Sequence, residues 1–148
     1  MSSHPTAGER TRLRVRYAET DQMGRAHHMH YLAWFELGRT ELLRGAGVAY
    51  SEIESQGVKL PVSNVEIEYR SPAAYDEAVD IFTRVSRVRS RTVTFSYLAA
   101  RAETGEALAT GSTRLVCTDP EGRPRRIPPH LISVLEGLLA AEFSWPDE

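Results

Sequence analysis

Apolar and polar residues alternate along most of the second half of the chain, and this period of two is typical of β-strands with one buried face. The alternation begins at Val65 and continues in runs around Val79–Val85, Val93–Ala99 and Ala107–Cys117. Turn-forming residues separate the runs, so neighbouring strands are expected to form antiparallel hairpins. An earlier alternating run, Leu13–Tyr17, predicts one further strand near the start of the chain.

A helical spacing of apolar residues appears in three other segments. It predicts a long helix from His28 to about Arg44, where Gly45 begins the stop signal, and a short helix at Tyr50–Gln56. The pair Pro128-Pro129 opens an amphipathic C-terminal helix. Strands gathered after a long helix predict an α+β fold, with the helix laid on one antiparallel sheet. Because such a sheet has open edges, we expect the chain to form a homo-oligomer.

Composition and charge narrow the class of protein. The chain has 148 residues, of which 41% are apolar and 26% charged, and its net charge is −2. The length and composition predict one globular domain, placed at residues 11–148, and residues 1–10 are expected to form a flexible leader. The charge balance gives no general attraction to nucleic acid, and no apolar run approaches the length of a membrane span. A polar N-terminus without a secretory signal predicts a cytoplasmic protein.

Several kinds of catalytic centre have no counterpart in the sequence. The lone cysteine, Cys117, has the parity of a buried strand residue and leaves no partner for a disulfide. Adjacent residues of a regular helix point about 100° apart, so His27, His28 and His30 would not converge on one metal ion. No nucleophile elbow of the G-x-S-x-G type and no glycine-rich phosphate loop are present. We therefore expect neither a metal nor an organic cofactor.

The segment from Tyr17 to Tyr31 is the richest in chemistry. It leaves a predicted strand, crosses a polar loop that carries Asp21 and Gly24, and enters the long helix near His28. The start of a helix presents free backbone N–H groups that polarise a carbonyl oxygen, and a nearby carboxylate attacks the carbonyl or deprotonates water. Gly24 would let the backbone approach a ligand closely. Asp21 also suits a plain turn or cap, and spacing alone does not separate the two roles.

Arginine supplies nearly all the positive charge, since Lys59 is the one lysine among 18 basic residues. One predicted hairpin carries Arg84, Arg87, Arg89 and Arg91, and a later loop carries Arg123, Arg125 and Arg126. Guanidinium groups bind phosphate well, although solvated hairpins in an arginine-rich chain would look the same.

Two stretches of the chain resemble a known family. Tyr17 to Glu36 reads Tyr-x-x-Thr-Asp-x-x-Gly-x-x-x-His-x-x-Tyr-x-x-Trp-Phe-Glu, and Ile67–Glu77 provides a second match. Both are similar to the signature of the hotdog-fold thioesterases, in particular the branch like 4-hydroxybenzoyl-CoA thioesterase. The resemblance extends from about Thr11 to Pro120. It implies a five-stranded antiparallel sheet wrapped around one long central helix, and dimers, often paired into tetramers, with active sites at the dimer interface.

The resemblance also implies roles for single residues. Asp21 would be the catalytic carboxylate, and His28 would stand at the helix start whose backbone amide polarises the thioester carbonyl. The substrate-binding group comprises Tyr17, Gly24, His30, Tyr31, Arg87, Arg89 and Arg91, with the three arginines as candidates for the phosphates of coenzyme A. His30 departs from the family, because many relatives carry Asn there.

These observations together predict an acyl-CoA thioesterase that releases free acid and coenzyme A. Asp21 would act as nucleophile or as general base, and the sequence does not choose between them. One alternative keeps the reaction and takes the acyl group from acyl carrier protein. Another is an acyl-CoA binding protein without catalysis, which would not need the pairing of Asp21 with a helix start.

Overall fold

A computed structural model describes residues 10–139 of the protein, which form one five-stranded sheet and three α-helices. The strands are β1 (Arg10–Arg14), β2 (Val62–Tyr69), β3 (Ala78–Val88), β4 (Thr92–Arg101) and β5 (Ala107–Val116). The helices are α1 (His30–Gly45), α2 (Tyr50–Ser55) and α3 (Pro129–Leu139), and a single 3-10 turn covers Tyr17–Glu19.

The sheet has the order β1-β3-β4-β5-β2, and every neighbouring pair is antiparallel. The predicted hairpins β3–β4 and β4–β5 form its centre. The two strands that precede them in sequence, β1 and β2, become its two edges. The predicted α+β class, with one antiparallel sheet packed around a long helix, is confirmed.

Helix α1 lies on one face of the sheet. The side of the helix that faces the core carries large side chains, with a glycine at one position. Phe35 is fully buried and its ring stacks on that of Tyr97, with 4.5 Å between centroids. One turn further on, Gly38 faces β3, where an added Cβ would overlap Thr83 Oγ1 and stand 2.9 Å from Ile81 Cγ2. The missing side chain at this position therefore lets the helix approach the sheet closely.

The edge strand β1 begins and ends earlier than its alternation predicts. It covers Arg10–Arg14, so the segment after Arg14 leaves the ladder before Tyr17. The Val15 N–H instead bonds to Glu77 O at 3.0 Å, which turns the chain into the 3-10 turn. Arg10, assigned to the leader from the sequence, pairs with Phe82. The rest of that predicted leader lies outside the described residues.

The predicted long helix is present with its start displaced by two residues. Helix α1 begins at His30, because the His30 N–H bonds to His27 O at 3.1 Å in a turn that precedes the regular helix. The short helix α2 and the helix α3 match their predictions to within one residue. Within residues 10–139, no helix is both long and apolar enough to span a membrane.

Strand β2 differs from the other strands in its exposure. Its alternation predicts one buried face, yet nearly all its residues are exposed, and Val65 and Tyr69 are exposed to 43% and 47%. Val65 pairs with the buried Thr113, so it faces the same side of the sheet as the core. Helix α1 does not extend far enough to cover this edge, and its own Leu32 is 42% exposed. An apolar face that includes β2 and α1 is thus left open in the single chain.

Candidate active site at the start of the central helix

The loop that carries Asp21 is a compact hairpin. Thr20 and Ala26 form an antiparallel bridge across it, and the Asp21 N–H bonds to Arg25 O at 2.7 Å. The Gly24 N–H closes the turn on Asp21 O at 3.1 Å. These hydrogen bonds fix the backbone on both sides of Asp21, so the carboxylate projects from a defined position.

The Asp21 side chain takes part in this turn through one of its oxygens. Oδ1 accepts the N–H of Met23 at 2.8 Å and that of Arg25 at 3.3 Å, an Asx-type arrangement. Within residues 10–139, Oδ2 receives no hydrogen bond, and the residue is exposed in the single chain. Asp21 therefore stabilises the turn, as one of the two sequence interpretations held, and its second carboxylate oxygen is left available to a ligand.

A second loop holds the hairpin against the sheet. The Ala26 N–H bonds to Ala73 O at 2.8 Å, and the Gly24 carbonyl accepts the Tyr75 N–H at 3.1 Å. Gly24 has a φ of +75°, a conformation that side chains disfavour, which explains the glycine. The exposed ring of Tyr17 packs edge-to-face on that of Tyr75, with 5.7 Å between centroids. Tyr17 and Gly24 thus lie on either side of Asp21 in the chain and both adjoin Tyr75, while their substrate-binding roles stay predictions.

His28 lies in the turn that leads into α1. Its carbonyl accepts the hydroxyl of Tyr69 at 2.7 Å, which attaches the helix start to the end of β2. The described residues supply no acceptor for the His28 backbone N–H. The structure therefore keeps a free amide beside the start of the helix, although His28 itself stands two residues before its first residue.

A buried carboxylate that sequence reasoning missed joins the loop to the helix. Glu19 is only 4% exposed, and its two oxygens accept the Arg16 N–H and the Trp34 indole N–H, both at 2.8 Å. Burial by itself would raise the pKa of Glu19, but these hydrogen bonds and the Arg16 charge outweigh burial and lower it. The sequence offered no signal for this, because Trp34 is fifteen positions away.

The remaining aromatic and imidazole groups lie on the helix side of the loop. Tyr31 is 2% exposed and packs on Trp34 and edge-to-face on Tyr69, so it belongs to the core, and burial raises its pKa. His30 is half-buried at the first position of α1. The substrate-binding roles given to Tyr31 and His30 stay predictions. Among the residues that the structure describes, no three ligating side chains are arranged to hold a metal ion.

The predicted phosphate-binding arginines lie at the other end of the sheet. The Asp21 loop adjoins the start of β3, whereas Arg89 and Arg91 occupy the turn at its far end, after eleven strand residues. At about 3.3 Å per residue that separation is roughly 30 Å. One chain therefore does not bring Arg87, Arg89 or Arg91 to its own Asp21.

The two arginine clusters seen in the sequence meet in space. The Ile127 N–H bonds to Ser90 O, and the Cys117 N–H bonds to Arg91 O, both at 2.8 Å. These bonds bring the loop with Arg123, Arg125 and Arg126 next to the β3–β4 turn. Cys117 is fully buried between the two segments, and burial raises the pKa of its thiol, as expected for a structural cysteine.

Comparison with known proteins agrees with this geometry. Residues 15–135 match the family model of the thioesterase-like superfamily. The acyl-CoA thioester hydrolase YbgC of Escherichia coli is 30% identical over 122 residues, 82% of this chain and 90% of YbgC. Among solved structures, protein TT1821 of Thermus thermophilus has a TM-score of 0.83 at 39% identity, covering 88% of this chain and 98% of that one. A DHNA-CoA thioesterase of Staphylococcus aureus has a TM-score of 0.84 at 31% identity, covering 89% and 91%.

The chain belongs to the thioesterase-like superfamily. Its fold is the hotdog fold, and its enzyme class is thioester hydrolase, as the sequence predicted. The match includes the whole Asp21 loop, α1 and the sheet from β2 to β5.

Proposed function

We propose that the protein hydrolyses acyl-CoA thioesters at the Asp21 loop. The proposal rests chiefly on one observation: within residues 10–139, Asp21 Oδ2 on the loop that precedes α1 accepts no hydrogen bond, and the His28 N–H beside the start of α1 finds no acceptor. Membership of the thioesterase-like superfamily and the likeness to YbgC support acyl-CoA as the substrate class.

The proposed reaction uses the two free groups together. The thioester oxygen accepts the His28 N–H, which stabilises the negative charge that develops on the carbonyl oxygen. Asp21 either removes a proton from an attacking water or bonds to the carbonyl carbon itself, giving an anhydride that water then opens. The carbon–sulfur bond breaks, the sulfur leaves as coenzyme A thiolate and takes up a proton, and the acid is released. No step needs a metal or an organic cofactor.

The open β2 edge indicates how a second copy would complete this site. Strand β2 ends near the Asp21 loop, through the bond from Tyr69 to His28, and begins near the arginine turn at the other end of the sheet. Two β2 strands paired antiparallel about a two-fold axis point in opposite directions. The arginine turn of one copy would then lie at the Asp21 end of the other copy.

This dimer gives the predicted arginines a role. Arg87, Arg89 and Arg91 are exposed, and no ion pair joins them to another residue of the described part of the chain. Across the proposed interface they would face the nucleotide end of a coenzyme A whose thioester lies at Asp21. Phosphate groups are well matched to such guanidinium groups. Pairing of dimers into a tetramer and a cytoplasmic location stay predictions.

A free-thiol assay with a panel of acyl-CoA esters tests the proposal. The panel includes short aliphatic, branched and aromatic acyl groups, because the pocket that selects the acyl group is formed by two copies. We expect steady release of coenzyme A with at least one ester. If no ester releases thiol while several raise the melting temperature, the protein is a binder rather than a hydrolase.

The second candidate, an acyl-carrier-protein thioesterase, is tested in the same assay. The same acyl group is offered on coenzyme A and on acyl carrier protein, and the two values of kcat/KM are compared. The exposed arginine turn favours coenzyme A, whose nucleotide carries three phosphates that arginine side chains can bind. A clear preference for the carrier protein would replace the proposed substrate without affecting the role of Asp21.

A further inference from the structure

Tyr69, the last residue of β2, contacts the turn that precedes α1. Its hydroxyl donates to His28 O at 2.7 Å, and no backbone N–H within residues 10–139 donates to this carbonyl. Partial burial of the phenol raises the pKa of Tyr69, so the hydroxyl keeps its proton at neutral pH. None of the roles assigned above belongs to this side chain.

The ring of Tyr69 is held in place by its neighbours. It packs edge-to-face on Tyr31, with 5.2 Å between centroids, and on His28, with 6.1 Å. Tyr31 is buried in the core, and Tyr69 itself pairs with Ala109 in the sheet. The sheet therefore fixes the position of the hydroxyl, and the hydroxyl in turn holds a carbonyl that lies outside the regular helix.

The backbone of His28 is held through the two peptide units on either side of its Cα. In the preceding unit, His27 O accepts the His30 N–H at 3.1 Å. Because a trans peptide places its N–H opposite its carbonyl, this bond points the His28 N–H away from His30. In the following unit, Tyr69 holds the carbonyl, and the Met29 N–H makes only a longer contact of 3.3 Å with His27 Nδ1. Without the hydroxyl of Tyr69, the backbone at His28 would rotate more freely about ψ.

We propose that Tyr69 is a positioning residue of the thioesterase site, which holds the His28 N–H in the direction that the thioester oxygen requires. This inference rests on the proposed function, in which that N–H stabilises the charge on the oxygen. Such donors are effective because they are aligned before the charge develops. A backbone that has to reorient during the reaction loses part of this stabilisation, so the effect should fall on kcat rather than on KM.

Steady-state kinetics of Tyr69→Phe tests the proposal, with an acyl-CoA ester that the wild type hydrolyses. Phe keeps the ring contacts with Tyr31 and His28 and removes only the hydroxyl. We expect kcat to fall about tenfold, less than the roughly hundredfold or more that loss of an oxyanion donor costs, with KM changed by less than about twofold. The pH profile of kcat should keep its shape, because Tyr69 transfers no proton.

Ser96→Ala is the control for the loss of a hydroxyl. Ser96 lies on β4 between the buried Phe95 and Tyr97, so its side chain is on the face of the sheet away from α1, where it bonds to Ser86 Oγ at 2.9 Å. This variant should change neither kcat nor KM.

A second measurement detects the contact without relying on activity. His28-Met29 is the one His-Met pair in the sequence, so labelling with ¹³C-carbonyl His and ¹⁵N Met gives a single signal in an HNCO spectrum, that of the His28 carbonyl. Loss of the hydrogen bond should move this carbonyl signal to higher field in Tyr69→Phe, whereas Ser96→Ala should leave it in place.

Three results would each overturn the proposal: a kcat of Tyr69→Phe within about twofold of the wild type, a rise in KM at constant kcat, or an unchanged His28 carbonyl signal. If the wild type releases no thiol with any ester, the proposed function fails and this inference fails with it. An active wild type together with a fully active Tyr69→Phe would overturn this inference alone and leave the proposed function standing.

Discussion

The indole N–H of Trp34 donates a 2.8 Å hydrogen bond to the buried carboxylate of Glu19, two residues before Asp21. Trp34 is on α1 and Glu19 is at the end of the 3-10 turn, so this contact joins the helix to the loop that carries the proposed catalytic group. The second oxygen of Glu19 is held by the Arg16 N–H. The distance of Asp21 from the helix start is thus controlled by a residue that does not itself need to touch substrate.

Replacing Glu19 with Gln should destabilise the fold. The Gln side chain has one accepting oxygen, and its NH₂ group would face either the Arg16 N–H or the Trp34 indole N–H. One buried hydrogen bond is therefore lost, which lowers the free energy of unfolding by about 1–3 kcal/mol. Chemical denaturation of both proteins at neutral pH measures the difference. Glu41→Gln, which removes an exposed ion pair with Arg44, is the control and should change stability by less than about 1 kcal/mol.

The same pair of proteins should differ in their response to pH. The pKa of Glu19 is lowered in the folded state, so folding favours its charged form, and the resulting stability is present above the ordinary pKa of about 4.5. That contribution is lost as the pH falls through the lowered pKa of the folded state. The stability difference between wild type and Glu19→Gln should therefore shrink in acid. A difference that stays constant from pH 7 to pH 3 would be inconsistent with a charged Glu19.

Two glycines in helices should respond oppositely to alanine. A Cβ at Gly38 would overlap Thr83 Oγ1, so Gly38→Ala should destabilise by about 1–3 kcal/mol. At Gly137 in α3 nothing lies within 4 Å, and Gly137→Ala should stabilise by about 0.5–1 kcal/mol through helix propensity. Thermal and urea unfolding of both variants test the pair. If Gly38→Ala did not lower the stability, α1 and β3 would have to pack less closely than the contact with Thr83 requires.

The arginine turn is expected to act on substrate affinity rather than on the chemical step. Arg89→Ala should raise KM for an acyl-CoA by about threefold to tenfold and leave kcat nearly unchanged, since its charge would contact the nucleotide. Added salt should raise KM of the wild type more than that of the variant. Arg44→Ala, also exposed, is the matched control and should affect neither constant. A fall in kcat at constant KM would argue against phosphate binding by this turn.

The proposed dimer pairs the open β2 edges of two copies. Val65→Lys places a charge in the exposed apolar face and should convert the proposed dimer to monomer in sedimentation experiments, with loss of activity. Leu37→Lys is the control, because Leu37 is exposed to nearly the same extent and lies beside β1, at the opposite edge of the sheet. A Val65→Lys protein that stays oligomeric and active would exclude β2 as the interface.

The sequence predicted those structural elements whose determinants lie close together along the chain. The alternation around Val93–Ala99 and the helical spacing before Arg44 identified β4 and α1, because burial on one face imposes a period that the residues themselves display. The motif around Asp21 also marked the loop and the helix start. The end of β1 was misplaced, since the Val15–Glu77 hydrogen bond that diverts the chain joins distant residues.

Other features had no sequence signal at all. The Glu19–Trp34 contact and the burial of Arg39 depend on tertiary packing. Neither Glu19 nor Arg39 has a position in the sequence pattern that distinguishes it from an exposed charged residue. The meeting of the two arginine clusters likewise results from the return of the chain after β5 to the β3–β4 turn. Contacts between residues this far apart in the sequence are set by the topology of the fold, which the local pattern of residues does not reveal.

The role of Asp21 is tested most directly by Asp21→Asn, because this change separates the two functions of the side chain. Asn keeps an oxygen that accepts the Met23 N–H, so the turn and the melting temperature should be preserved. It removes the charge that attacks the thioester or activates water, so kcat for an acyl-CoA should fall by about a hundredfold or more. A folded Asp21→Asn protein with near-normal kcat would show that Asp21 serves the turn alone and would contradict the proposed mechanism.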